Sequence, residues 1–170
     1  MLFPIFLILV ILLAFLFYPY FYSYNTNNIK LETQRIYDKI EELKKIVTMI
    51  VNHVQLERAF VNLGDNSLTR RQKPFLLPSY KIYPSDSITR TENHHDIHLV
   101  LWNKENNTLY EDNTLVYATL HEIAHIMVPE AEHGDVEFED IEEILLKTAV
   151  KLGYYNPQLA LAPNYSCMME

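Results

Sequence analysis

NTLVYATLHEIAHIMV, residues 113–128, contains neither proline nor glycine, and its apolar side chains recur at Leu115, Tyr117, Ala118, Leu120, Ile123, Ala124 and Met127. That spacing predicts a largely buried α-helix. Asp112 or Asn113 is placed to cap its start. Pro129, which has no N–H to give and biases its predecessor away from the helical region, stops it one turn after His125. Within the helix, His121-Glu122-Ile123-Ala124-His125 sets two imidazoles a turn apart on one face, where both can grip one Zn²⁺. Glu122 follows the first directly, in place to take a proton from a metal-activated water without binding the metal itself. Two histidines and a glutamate on an otherwise apolar helix are costly to bury without a metal or other polar partners. The pattern is that of metal-assisted hydrolysis.

A catalytic zinc usually takes three protein ligands and leaves one position open for water. Downstream lie Glu130, Glu132, His133, Asp135, Glu137 and the acidic run on the next helix. His133 suits zinc best as a neutral imidazole, and beyond Pro129 a short loop can fold it back toward His121 and His125. Gly134 then permits a tight turn into a further helix with Asp135 at its start. On the residues alone, a glutamate remains the alternative third ligand.

The stretch IHLVLWNKENNTLYEDNTLVYATLHEIAHIMVPEAEHGDVEF, with the helix after it, LGYYNP and a C-terminal Tyr-x-Cys, resembles the small zinc metallopeptidases encoded by large nucleocytoplasmic DNA viruses, relatives of the WLM and SprT-like minimal zincins. The likeness runs from Asp96 to Cys167. It rests on H-E-[LI]-A-H, seven residues containing Pro-Glu, a third His, and a Phe a few residues on. The resemblance implies metal-ligand status for His121, His125 and His133, one catalytic Zn²⁺, and the general-base role for Glu122. Two departures mark this chain. Phe138 lies one residue further from His133 than the family spacing, which leaves Asp135 as a rival ligand; the tail reads Tyr165-Ser166-Cys167-Met168 where Tyr-Cys-Gly is typical.

Upstream, Ile97–Asn103 (IHLVLWN) is rich in β-formers and is separated from the helix by the polar KENNT segment. Lying at a sheet edge above a cleft, such a strand can pair with the backbone of an extended peptide, which makes a polypeptide the expected substrate. KPFLL and SYKIY, punctuated by Pro74, Pro78 and Pro84, supply one or two further strands of a small sheet of about three. His94 and His95 read as a polar loop and His98 as one face of a short strand. With Tyr154, Tyr155 and Tyr165 they are the candidates for stabilising an oxyanion.

The first 29 residues carry no charged side chain; Leu2 to Phe17 is apolar apart from Pro4, and Tyr18, Tyr20, Tyr22 and Tyr24 follow where an interfacial belt would sit. At 1.5 Å per residue the apolar part spans about 24 Å, and the Tyr-rich turn extends it to about the hydrocarbon thickness of a bilayer. Residues 1–24 are therefore expected to be a single-pass transmembrane anchor, with a lipid membrane as partner. A cleaved signal peptide is the alternative, but no basic segment precedes the apolar run and no small-x-small site follows it. Lys30, Arg35 and Lys39 on the downstream flank place the catalytic domain on the cytosolic side. The single cysteine, Cys167, excludes an internal disulfide and agrees with a reducing compartment.

Lys30 to Phe60 reads as one long helix, with Ile36, Ile40, Leu43, Val47, Ile50 and Val54 forming a heptad seam. The seam is expected to pack on the active-site helix and on a Phe138–Leu152 helix ended by Gly153; it could instead pair with a copy of itself as a homodimer. A formal net charge of −8, from 14 basic and 22 acidic residues, disfavours phosphate-backbone binding, so no nucleic-acid partner is expected. The expected architecture is α+β. A transmembrane helix, residues 1–24, precedes a minimal zincin-like domain, 25–170, made of a supporting helix (25–60) and a catalytic part (61–170) with a small sheet, the HExxH helix and a C-terminal helix. The expected function is that of a membrane-anchored zinc-dependent peptidase. The alternative is a membrane-tethered zinc-binding structural or interaction protein without catalysis, marked by a fourth ligand such as Asp135 or Cys167.

Overall fold

The computed structural model describes residues 29–57 and 76–162. The chain divides into two compact units, Met1–Lys39 and Ile40–Glu170. Helix α1 covers residues 29–57. Its residues 29–39, in the first unit, are mostly exposed and braced by local bonds such as Gln34 Nε2 donating to Asp38 Oδ1 at 2.9 Å, one turn on. In the second unit the same helix buries Ile40, Leu43, Val47, Ile50 and Val54, the seam read from the sequence. That apolar stripe is covered within the chain. Its end is tied to the C-terminal part of the fold by an ion pair between Glu57 and Lys151 and by the Tyr154 hydroxyl on the Met49 sulfur at 3.2 Å.

Strands β1 (Lys81–Ser85), β2 (Arg90–Glu92) and β3 (Asp96–Val100) form one sheet in the order β1-β3-β2, with β1 parallel and β2 antiparallel to β3. Along β3, Ile97 and Leu99 are buried while Asp96, His98 and Val100 are half-buried, the two-residue alternation of a sheet packed on one face. Pro84 sits in β1, an outer strand, where its missing N–H interrupts no ladder. Asn93 and His94, at φ 53° and 58°, turn β2 into β3, with the His95 N–H donating to the Glu92 carbonyl at 3.2 Å. Two successive left-handed residues are what tight hairpin turns of the I′ class use.

The strand expected over Ile97–Asn103 breaks at Leu101. Its first part is the central strand of the sheet rather than an edge. Trp102–Asn103 (β4) pairs instead with Thr108–Leu109 (β5) in a separate hairpin. The cause lies in the polar turn. Asn103 Oδ1 accepts from the Glu105 N–H at 2.9 Å, Asn106 Oδ1 from the Thr108 N–H at 3.2 Å, and Asn107 adopts φ 57°, so the asparagines fold the segment onto itself.

Helix α2 (Asp112–Met127) is followed by a loop and helix α3 (Val136–Lys151). The N-cap of α2 is Glu111 rather than Asp112 or Asn113. Asn113 Oδ1 accepts from the Asn156 N–H at 2.8 Å and Thr114 Oγ1 from the Ala162 N–H at 3.2 Å, which pins the C-terminal segment to the start of α2. Leu115, Leu120, Ile123 and Ala124 are wholly buried, and Phe138, Leu145 and Ala149 of α3 are buried too where α3 packs on α2. At the end of α3 the Gly153 N–H donates to the Val150 carbonyl (3.1 Å) and the Tyr154 N–H to the Ala149 carbonyl (2.9 Å), with Gly153 at φ 78°. This is a Schellman closure, in which a left-handed residue lets two orphan carbonyls find donors.

Among the described residues no helix is long and apolar enough to cross a membrane. The most apolar, α2, has 16 residues and spans about 24 Å against a hydrocarbon core of about 30 Å. The longer α1 carries charges throughout, among them Arg35, Lys39, Glu42 and Lys45. The expected transmembrane helix is corrected accordingly, and with it the single-pass membrane localisation and the cytosolic placement of the domain. The described fold is α+β, three helices with small sheets. Residues 1–24, on which the anchor was read, lie outside the described residues.

A Cβ at position 153 meets nothing within 4 Å, so only its left-handed backbone resists substitution. Gly153→Ala is expected to lower stability by about 1 kcal/mol, read as a lower denaturation midpoint at unchanged slope in urea.

Candidate metal centre

His121 and His125 stand one turn apart near the C-terminal end of α2. Past Pro129 the chain reverses through two short turns, closed by the Ala131 N–H on the Val128 carbonyl (3.0 Å) and the Asp135 N–H on the Glu132 carbonyl (3.1 Å), with Gly134 at φ 89°. This reversal carries His133 back over the helix. Its Nε2 lies 2.9 Å from Nε2 of His121 and 3.1 Å from Nε2 of His125. Among the described residues these three form the one group of histidine, cysteine or carboxylate side chains close enough to hold a metal ion, their ligand atoms all within 4.8 Å of one another. Tetrahedral zinc with Zn–N bonds of 2.0–2.1 Å would separate its ligands by about 3.3 Å, so the cage is within a few tenths of an ångström of that size. Three imidazoles with no thiolate suit zinc and other imidazole-loving transition metals.

The packing around the three rings explains why they converge. Phe138, buried in the first turn of α3, lies with its ring centroid 5.2, 4.4 and 5.2 Å from those of His121, His125 and His133. It forms an apolar base beneath all three. Tyr117, one turn before His121, stacks on it at 6.1 Å, and Tyr155 tilts against Tyr117 at 6.0 Å. Burial, reinforced by the positive charge that His121 and His133 would carry, pulls the His125 pKa down to about 4 against the opposing pull of Glu142. The imidazole is thereby kept neutral, the form that offers a lone pair.

Glu122 projects away from solvent and is completely buried. Its Oε2 accepts from the Thr91 hydroxyl at 2.8 Å, and the same hydroxyl lies 3.2 Å from the Glu122 carbonyl oxygen. A buried carboxylate without such a donor would be strongly disfavoured. Thr91 belongs to β2, so the outer strand nearest this part of α2 is β2 and not the strand the sequence suggested.

The remaining candidates are not brought to the trio. Asp135 turns its Oδ2 to the Glu132 N–H at 2.8 Å, and Glu130, Glu132 and Glu137 are exposed. His94 and His95 occupy the exposed hairpin turn; His98 stacks on Tyr83 and meets Glu92 at 3.2 Å. Tyr154 turns to α1, while Tyr165 and Cys167 lie outside the described residues. Two contacts are not assigned by the sequence: that of Glu142, from the acidic run on α3 that it offers only as a source of ligands, and that of Thr91. Glu142 Oε1 lies 2.6 Å from Nδ1 of His121. Its signal was its place one turn after Phe138 on α3, hence on the same face. Thr91 left no signal, since its pairing with Glu122 spans 31 residues.

No family profile matches the chain, and no solved structure matches it. The chain is similar to viral proteins. "Uncharacterized protein 042R" of Invertebrate iridescent virus 3 is 35% identical over 80 residues, which cover 47% of this chain and 50% of that protein. "Uncharacterized protein 136R" of Invertebrate iridescent virus 6 is 39% identical over 56 residues, 33% of this chain and 31% of the relative. "Uncharacterized protein R325" of Acanthamoeba polyphaga mimivirus is 33% identical over 60 residues, 35% and 30% of the two chains. The matched region thus spans half or less of the length of each of these relatives.

Proposed function

We propose that this chain is a zinc-dependent peptidase of the minimal zincin type, with His121, His125 and His133 as metal ligands and Glu122 as general base. The observation that carries the reading is the convergence of three Nε2 atoms, two of them from the helix that also carries Glu122. An ion held there supplies a Lewis acid that polarises a carbonyl and acidifies water. Glu122 accepts the proton of the attacking water and passes it to the leaving amine. Thr91 keeps that carboxylate in one orientation. Among the described residues β2 pairs only with β3, so its other edge can take the backbone of an extended polypeptide beside Glu122. The acidic net charge gives no reason to expect a nucleic-acid substrate. The alternative, a purely structural zinc site, needs a fourth protein ligand.

Glu122→Gln is expected to keep its zinc and to lose roughly 10²- to 10⁴-fold in cleavage rate, measured by proteomic cleavage profiling against the parent. Equal rates would overturn the general-base assignment. His133→Ala is expected to lose stoichiometric zinc in plasma emission spectroscopy; unchanged metal content would remove it from the ligand set.

For the metal-free chain, unfolded His125 takes up a proton near 6.5 but the folded residue only near about 4. Between those values the unfolded state binds more protons, so stability is full above the window and is lost as pH falls through it. Thermal melts of the metal-free protein should show a lower Tm at about pH 5 than at about pH 7.5, and a smaller difference in His125→Gln.

A further inference from the structure

We infer that Glu142 is the positioning residue of the metal centre: its carboxylate, brought by α3, holds Nδ1 of His121 protonated and so fixes Nε2 as the metal donor of that ring. The inference rests on the zinc reading of the histidine trio. A neutral imidazole carries one N–H and one lone pair, and which nitrogen has which is set by its partners. Oε1 of Glu142 is 2.6 Å from Nδ1, a charge-assisted distance, and the two side chains are only 20% and 10% exposed. With Nδ1–H donated to Glu142, the lone pair at Nε2 faces His133, 2.9 Å away. A ring turned the other way would present a carboxylate to a lone pair at Nδ1, which repel.

The three ligands are unequal in this respect. Among the described residues neither His125 nor His133 has a carboxylate on its other ring nitrogen, so His121 is the imidazole whose tautomer α3 dictates. Phe138, one turn earlier on the same helix, backs all three rings. Helix α3 therefore supplies both the surface the rings rest on and the acceptor that orients one of them. A carboxylate in this place also raises the basicity of the ligand, and its loss in metal sites typically weakens binding without changing the ligand set.

The test uses the full chain and Zn²⁺ itself, titrated in competition with a chromophoric chelator, with Co²⁺ absorption reporting the ligand set and circular dichroism the fold. Glu142→Ala is expected to bind Zn²⁺ roughly 10- to 100-fold more weakly than the parent, with the Co²⁺ band shape retained. Glu142→Gln, whose amide oxygen still accepts from Nδ1–H, should lose less; Glu139→Gln, an exposed neighbour on α3, should stay within about twofold of the parent. Should Glu142→Ala fail to fold, Glu142→Leu, which fills the space without an acceptor, decides, because an affinity equal to the parent's would overturn the inference. A changed Co²⁺ spectrum in either variant would also overturn it by making Glu142 a direct ligand. A parent chain that takes up no Zn²⁺ would sink the zinc reading and this inference together, whereas a zinc-binding parent with an unaffected Glu142→Ala sinks this inference alone.

Discussion

The Nε2 atoms of His121 and His125 lie 2.9 and 3.1 Å from that of His133, so three ring nitrogens crowd one point, where a cation between them would hold them together. Everything around the end of α2 serves that approach. The helix sets two rings at a fixed spacing, the double turn after Pro129 returns the third, and Phe138 closes the apolar side so that the rings cannot splay apart. Burial keeps His125 neutral. The same low-dielectric setting makes each carboxylate nearby expensive unless it has a donor, and both have one: Thr91 for Glu122 and the His121 ring for Glu142.

What the sequence made legible follows from the range of the interactions. The extent of α2 and α3, the stop at Pro129, the glycine end of α3 and the buried seam of α1 depend on spacings of three and four residues, and these survive in a linear reading. The two motif histidines are similarly local. His133 needed only a short reversal, which proline and glycine announce. The edge strand was misplaced because strand order is a non-local property. Ile97–Val100 has the composition of a strand wherever it lies, and nothing in it says that β1 will add in parallel on one side and β2 on the other. Leu101 continues the run of β-formers without a break in composition, while the asparagine turn that pulls β4 away acts through side-chain bonds to the backbone.

The caps show the same division. Asp112 and Asn113 have the chemistry of N-caps, yet Glu111 holds the position, because Asn113 is engaged by a backbone N–H some forty residues later. Asp135 does stand at the N-cap of α3, but its side chain bonds back to Glu132 and so stabilises the turn that delivers His133 rather than the helix that follows. In both cases the polar side chain accepts from a backbone N–H outside the helix it was expected to cap.

The bonds from Asn156 and Ala162 to Asn113 and Thr114 fasten the stretch after α3 to the far end of the helix that carries the histidines. That stretch works as a clasp. A shortened chain ending at Lys151 would strip from the first turn of α2 the two N–H donors that Asn113 and Thr114 accept from, and remove the Schellman closure of α3 as well, loosening both walls of the metal pocket from their outer ends. The smallest piece of this chain that can be cut out and still hold its shape therefore reaches at least to Ala162, well past the last residue that touches the imidazoles.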